Sequence, residues 1–374
     1  MTNRPIWEDG AGDRRPPIVH DKVTDVCVVG LGGSGLSAMD EALAHGASVI
    51  GIDRSTIGAE AAGRNGGFLK TGLTGPLHTA RESWGDAAIP VYRMTLEEIE
   101  RVFDQAGDDG WRVGSIRLAT TPEEIDDCEV NLAALEAAGL PGTAYEGPLG
   151  VGLFFPVDGG FNPLSRCRRL ARSVMARGAE IGEGTEAISI EPGRVVTPEA
   201  TISARVIVVS VDGCLETLFP EIGARTTRLQ MIGTEPDPDL DIRCPVYADF
   251  GFNYWQQLPD GRLAVGGARN LHSADEWTRD AGITASVQTD IERVLRDQVG
   301  STAAVTHRWS GHSAYTPDGV PIGREVEEGV WVVGAYNGVG NVLGAVYARA
   351  AIKAGLRIDE FWLPDSGPQV AWAT

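Results

Sequence analysis

One turn constrains this chain more than any other feature. Val26-Cys27-Val28-Val29 is a continuous apolar run, as in a strand covered on both faces. Gly30-x-Gly32-x-x-Gly35 follows it, then a helical pattern from about Ser34 to His45 with Leu36, Met39, Ala42 and Leu43 on one side. Gly46 ends that helix, Ser48 to Ile52 reads as a second strand, and Asp53 closes it 23 residues after Gly30. Such a β-α-β unit requires a parallel pair with a right-handed crossover. In it Gly30 permits the tight turn, Gly32 lets backbone approach a pyrophosphate, and Gly35 lets helix pack on strand. The helix start offers free N–H groups and a positive dipole end. The acid stands where ribose hydroxyls are bound. Three glycines alone would be a weak signal. With strand, helix, second strand and acid in agreement they predict dinucleotide binding.

Later elements carry their own signals. Thr95 with Glu98 reads as a capping box opening a helix that ends near Gly107. Thr121, Pro122 and Glu124 open another to Gly139, Asn162-Pro163 a third to Gly178, and Thr284 to Val299 is a fourth. Residues 205–210 and 330–333 read as buried strands. Phe252–Leu258 and Arg262–Gly266 form a hairpin about Pro259-Asp260-Gly261. The parallel-type strands near 26, 48, 206 and 331 are far apart in sequence. The fold expected is therefore α/β (α+β overall), with a Rossmann-like nucleotide-binding lobe interrupted by a second, mainly antiparallel lobe with helices. The boundaries expected are 21–84, 151–215 and 306–374 for the first lobe, and 85–150 and 216–305 for the second. Residues 1–20, rich in Pro, Gly and charge, read as a loosely held arm.

Composition excludes several classes. A net charge of −20 repels phosphate backbones, so nucleic acid is not an expected partner. No run approaches the ~18 apolar residues of a membrane span, and the N-terminus has no apolar core of signal-peptide length. Five cysteines, none in a C-x-x-C pair, suit neither a disulfide framework nor zinc and fit a reducing cytoplasm. The histidines show no metal spacing, and no G-x-S-x-G elbow appears.

Ala61-Ala62-Gly63-Arg64-Asn65-Gly66-Gly67-Phe68 follows the second strand closely. Here the chain resembles the D-amino-acid oxidase superfamily of flavoenzymes. Its motifs are most similar to the γ-glutamylputrescine oxidase-like branch, and more distantly to sarcosine and glycine oxidases. The likeness recurs in Gly152–Pro156, Tyr254-Trp255, Asp260-Gly261-Arg262, Trp309-Ser310-Gly311, Thr316–Gly319 and Asn337-Gly338-Val339-Gly340. It implies FAD as cofactor, with the backbone of the G-R-N-G-G segment along the flavin ring. The candidate cofactor residues are Gly30, Gly32, Gly33, Ser34, Gly35, Asp53, Arg54, Gly63, Arg64, Asn65, Gly66, Gly67, Ala187, Asn337, Gly338, Val339, Gly340 and Asn341. The loop Gly338–Gly340 starts a helix. A helix N-terminus near the flavin pyrimidine edge would stabilise negative charge there.

Three departures from the resemblance matter. Gly311 stands where sarcosine oxidases attach flavin through cysteine, so the FAD expected is non-covalent. Ala264 replaces a lysine linked to oxygen reactivity, and Asn341-Val342 replaces a carboxylate-binding lysine. The candidate catalytic residues are His312, Tyr254 and Lys70. The candidate substrate residues are Lys70, Tyr254, Trp255, Arg269 and His312, lining a site drawn from both lobes. Tyr254 and Trp255 alternate along a strand, so only one can face the site.

The activity this implies is oxidation of a C–N bond in a small amine or amino acid by hydride transfer to flavin. The imine formed is hydrolysed by water, and oxygen yields hydrogen peroxide. The alternative is a dehydrogenase passing electrons to a carrier or quinone. A flavin hydroxylase would carry a second G-D motif that is absent here. A non-catalytic flavoprotein would not need so complete a set of motifs.

Overall fold

The computed structural model describes residues 3–8, 10, 12–367 and 372. The chain divides into two compact units, each assembled from separated segments. One comprises Gly10–Gly63, Pro163–Thr226 and the described residues of 313–374. The other comprises the described residues of 1–9, Arg64–Asn162 and Thr227–His312.

The first is a parallel-sheet unit. Lys22–Val29 pairs in parallel with Val49–Asp53 on one edge and Thr201–Val209 on the other. Glu180–Glu183 extends the sheet beyond Val49–Asp53. Val330–Gly334 adds in parallel to the C-terminal half of Thr201–Val209, and Arg194–Val196 lies antiparallel to its N-terminal half. The apolar run Val26–Val29 is buried because neighbours cover both its edges and both its faces. Helix Gly33–Ala44 packs against helices Pro163–Ala176 and Gly340–Gly355. Arg349 joins two of these helices by pairing with Asp40 at 2.8 Å and Glu41 at 2.9 Å.

The second unit is built on an eight-stranded sheet. Its order is Val305–Tyr315, Arg225–Thr234, Leu263–Gly266, Asn253–Gln257, Val246–Ala248, Ser115–Ala119, Gly150–Phe155, Thr143–Gly147. Register aligns Ile116, Val246, Trp255, Val265 and Ile232 on one face. That face forms an apolar core with Val287, Ile291, Val294 and Leu295 of helix Ala285–Asp297. The opposite face presents Arg117, Tyr247 and Tyr254 in a row across three strands. A small sheet of Phe68–Leu69, Gly159–Phe161 and Gly110–Trp111 belongs to the same unit.

Several expectations need correction. Residues 1–20 are not a loose arm where described: Ile6, Trp7 and Ile18 are buried, and Trp7 Nε1 donates to the Asn65 carbonyl at 2.8 Å. Three apolar side chains among polar neighbours gave no periodic signal. The helix expected to open at Thr95 runs from Ala88 to Ala106. Thr95 instead bonds back to the Tyr92 carbonyl at 2.6 Å and accepts the Gly72 N–H at 2.7 Å, while Glu98 pairs with Arg101. The box at Thr121 holds, its hydroxyl accepting from Glu124 N, with Gly139 left-handed at the other end. The expected boundaries at 84, 150, 215 and 305 give way to crossings at 63, 162, 226 and 312. Residues 64–84 lie with the antiparallel sheet because Phe68–Leu69 pairs with Gly159–Phe161 and helix Leu77–Trp84 packs on helix Pro122–Ala138.

Trp255 is fully buried in the apolar core. Trp255→Ala is expected to lower stability by about 3–5 kcal/mol through lost burial and a residual cavity. Denaturant unfolding measures this. A change below about 1 kcal/mol would show the face to be exposed in solution.

Candidate active site

In the parallel-sheet unit the ends of three strands converge on the turn at Gly30. Gly30 N donates to the Ile52 carbonyl at 2.8 Å, and Ser210 N donates to the Val29 carbonyl at 2.8 Å. Gly30 has φ +103°, and a Cβ there would lie 2.7 Å from the Ser210 carbonyl oxygen. A Cβ on Gly35 would lie 1.9 Å from the Gly30 carbonyl oxygen. Helix and strand therefore meet with no room for a side chain, which aims the helix start at the strand ends. That start has Gly32 as its cap, no side-chain cap bond, and no acid in the first turn. Its leading N–H groups are available to an anion. Asp53 accepts the Leu31 N–H at 2.9 Å and the Ser55 N–H at 2.8 Å. Burial raises the Asp53 carboxyl above the usual range, against the lowering effect of those two bonds. Thr185 N donates to the Asp53 carbonyl at 2.7 Å, bringing the loop that contains the buried Ala187 beside it. Arg54 reaches the Cys214 sulfur at 3.2 Å. Bare helix start, clash-limited glycines and terminal acid together fit a dinucleotide.

The second glycine loop of this unit is held by a carboxylate that the sequence reading passed over. Asp212, just past strand Thr201–Val209, accepts the Ala335 N–H at 2.9 Å and the Ala314 N–H at 3.2 Å. Burial pushes its carboxyl up to about 6, although backbone N–H groups and the Ser313 hydroxyl favour the charged form. The Asn337 side chain is occupied by the loop itself: its oxygen accepts Thr316 N at 2.9 Å, and its amide donates to the Ala335 carbonyl at 2.8 Å. Helix Gly340–Gly355 begins after Gly338 and Val339 without a side-chain cap bond, so its start turns backbone N–H groups and the positive end of its dipole outward from Gly340.

In the antiparallel-sheet unit the Arg64–Gly67 segment is fixed by its own neighbours. Trp309 Nε1 donates to the Arg64 carbonyl at 2.7 Å, and Gln256 donates to the Gly66 carbonyl. The Arg64 guanidinium donates to the Ser310 carbonyl at 2.5 Å and the Asn3 carbonyl at 2.9 Å. Its side chain is therefore turned to protein. The Asn65 side chain accepts Gly67 N at 2.9 Å, closing a turn in which Gly67 has φ +72°.

Beside that segment stands a polar, aromatic face. Phe68 and Tyr254 meet edge to face at 6.0 Å, and Lys70 Nζ lies 3.9 Å above the Tyr247 ring. Buried Asp158 accepts from Thr71 N, the Thr71 hydroxyl and the Ser115 hydroxyl at 2.8, 2.8 and 2.7 Å. Desolvation pulls the Lys70 ammonium down to about 8. Asp158 opposes that shift and Arg117 adds to it. Arg117 is buried and pairs with Asp127 at 2.5 Å, while His78 meets the other Asp127 oxygen at 3.1 Å. Of the sequence candidates, Lys70 and Tyr254 come together here. Trp255 does not: strand alternation turns it into the opposite core. Arg269 lies over the rings of Phe252 and Trp277, at 5.5 and 5.8 Å. His312 is buried on strand Val305–Tyr315. Arg117 and Tyr247 were missed because their strands are short and were not paired from sequence; Asp158 lies in a turn and Asp127 is one of several acids on helix Pro122–Ala138, so neither carried a signal of its own. Among the described residues no His, Cys, Asp or Glu cluster could hold a metal, and no helix is long and apolar enough to cross a membrane.

This combination of fold and cradle defines a flavin-dependent oxidoreductase. Residues 25–354 match the family described as DAO, FAD dependent oxidoreductase, and the chain belongs to it. Its cofactor is FAD. Among curated proteins it is 27% identical to the probable oxidoreductase OrdL of Rhizobium meliloti (strain 1021), covering 94% of this chain and 89% of that protein. It is 24% identical to the gamma-glutamylputrescine oxidoreductase of Escherichia coli (strain K12), covering 86% and 81%. Among solved structures its fold is similar to glycine oxidase from Geobacillus kaustophilus, with a TM-score of 0.76 at 20% identity over 92% and 99% of the two chains. L-proline dehydrogenase from P. horikoshii also gives 0.76, at 17% identity over 91% and 98%.

Asp53→Ala should weaken FAD binding by about ten- to a hundredfold, the worth of one charge-assisted hydrogen bond. Asp53→Asn, which can still accept the Leu31 N–H, should lose less. Flavin retained on gel filtration reports the difference, and equal retention by all three proteins would remove Asp53 from the cofactor contacts.

Proposed function

We propose that this enzyme oxidises the C–N bond of a small amine or amino acid, with FAD held non-covalently. The observation that carries the substrate assignment is the cation-over-aromatic face of Lys70, Tyr247 and Tyr254. Bound FAD supplies a two-electron acceptor for the hydride on the carbon bearing nitrogen. The fingerprint Gly30–Gly35 with Asp53 would hold its nucleotide end, and the Gly340 helix start of the same unit would serve the ring. Lys70 binds a substrate carboxylate. Tyr254 walls the amine, favouring a neutral or cation–π-held nitrogen. His312 contributes a hydrogen bond to substrate.

We assign oxygen as acceptor, giving hydrogen peroxide. Ala264, fully buried and without a cation, favours a second reading in which a carrier or quinone takes the electrons. Glycine oxidase and L-proline dehydrogenase share the fold, so both outcomes occur on it. The five cysteines are free, which suits a reducing cytoplasm.

Anaerobic bleaching of the flavin by a panel of amines and amino acids, followed by air, tests this reading. Rapid return of colour with peroxide marks an oxidase, and slow return marks a dehydrogenase. A flavin bleached by dithionite but by no amine would sink the proposal. Acid precipitation should release yellow FAD to the supernatant, because glycine occupies position 311.

The pH dependence follows from Lys70. Below about 8 its ammonium is charged and holds a carboxylate. As pH rises through that value the charge is lost, so KM for an amino-acid substrate should rise. Lys70→Met should raise KM by about tenfold at pH 7 and abolish this inflection, with a much smaller effect on an amine lacking a carboxylate. Equal effects on both substrates would refute the carboxylate role.

A further inference from the structure

The polar face of the antiparallel sheet extends beyond Lys70. Gly66 approaches the Tyr254 ring, where an added Cβ would stand 3.3 Å from Cδ2. Tyr254 is paired across the sheet with Tyr247, and Tyr247 with Arg117. Residues so paired point to one face, and adjacent strands lie about 4.8 Å apart. Lys70 therefore stands over the second position of a row whose third is Arg117, roughly 10 Å from Tyr254 by strand spacing.

Arg117 is held for binding in a way a purely structural arginine is not. Its side chain is 6% exposed, and one edge of its fork is spent on Asp127. Asp127 is in turn steadied by His78. Nη1 of Arg117 is buried without a hydrogen-bond partner among the described residues. A desolvated guanidinium N–H costs about 1–3 kcal/mol when unmet, so such groups are normally satisfied by ligand or water. The nearby acids leave it unmet. Asp127 faces Arg117 Nη2 and His78, its Oδ2 buried without a hydrogen bond among the described residues, and Asp158 accepts three bonds from Thr71 and Ser115. An incoming acceptor completes the set.

We propose that Arg117 is a second, distal acid-binding group of this site, and that the substrate is an elongated amine or amino acid carrying a further carboxylate. The inference rests on the reading of Lys70 as a substrate-binding cation. With Lys70 taking the carboxylate nearer the reacting nitrogen, Arg117 takes the one about a strand spacing further along. It makes the enzyme selective for acids with two anionic ends over those with one.

Calorimetry on the holoenzyme with two unreactive probes tests this without turnover. Glutarate has two carboxylates, and pentanoate has one on the same number of carbons. The wild-type protein should bind glutarate at least about tenfold more tightly. Arg117→Met should reduce that preference to within about twofold while leaving pentanoate unchanged, and Lys70→Met should weaken both. Absence of a glutarate preference in the wild type, as when water alone meets Nη1, overturns the inference. So does a preference that survives in folded Arg117→Met. Should that variant fail to fold, Arg117→Gln, which keeps a polar N–H donor on a shorter, uncharged side chain, is judged by the same criterion. An enzyme bleached by amines but without the preference loses this inference alone. One that prefers glutarate but is bleached by no amine loses the amine-oxidation reading alone.

Discussion

The hydrogen bonds that bring three strand ends to Gly30 are the constraint on which the parallel-sheet unit depends. Val29, Ile52 and Ser210 terminate together there, and Gly35 sits so close to the Gly30 carbonyl that a single methyl group would separate helix from sheet. Because strand and helix cannot move apart, the helix start and the Asp53 carboxylate keep one mutual geometry. The site then needs no charged side chain in the loop itself. Backbone N–H groups, a helix dipole and one acid do the recognition.

The antiparallel-sheet unit uses the opposite device. One face is apolar and closed by helix Ala285–Asp297; the other carries charge in a poorly solvated setting. Its acids and bases stand near one another: Asp158 acts on Lys70 through space, and Arg117 pairs with Asp127. Burial leaves each cation short of solvation, and a ligand acceptor would offset that cost. Desolvation has the further effect of bringing Lys70 into the range where its charge responds to ordinary pH.

Two buried groups that look merely architectural tie this chemistry to the fold. Asp212 gathers the N–H groups of Ala314 and Ala335, so the second glycine loop is set by a carboxylate that burial makes easier to protonate. Trp7 and Trp309 donate indole N–H groups to consecutive carbonyls of the Arg64-Asn65 segment. A segment rich in glycine would otherwise be too free to present a fixed backbone, and two indole donors remove that freedom.

The amino-acid sequence by itself determined the parallel β-α-β core, the glycine turn, Asp53 as its terminal acid, and the hairpin about residues 259–261. Each of these rests on local periodicity or on a residue whose backbone freedom is special, and such signals are complete within a few residues. The choice between Tyr254 and Trp255 was posed by alternation but decided by which face helix Ala285–Asp297 covers. The burial of Ile6, Trp7 and Ile18, the fate of Thr95, and the meeting of Lys70 with Tyr247, Arg117 and Asp158 were decided by tertiary structure alone. Their partners lie 23 to more than 100 residues away, and in the case of Tyr247 and Arg117 in strands of only three and five residues. A strand that short carries no periodicity of its own. Its place in the sheet, and hence the face its side chains share, comes from long-range pairing that no local pattern encodes.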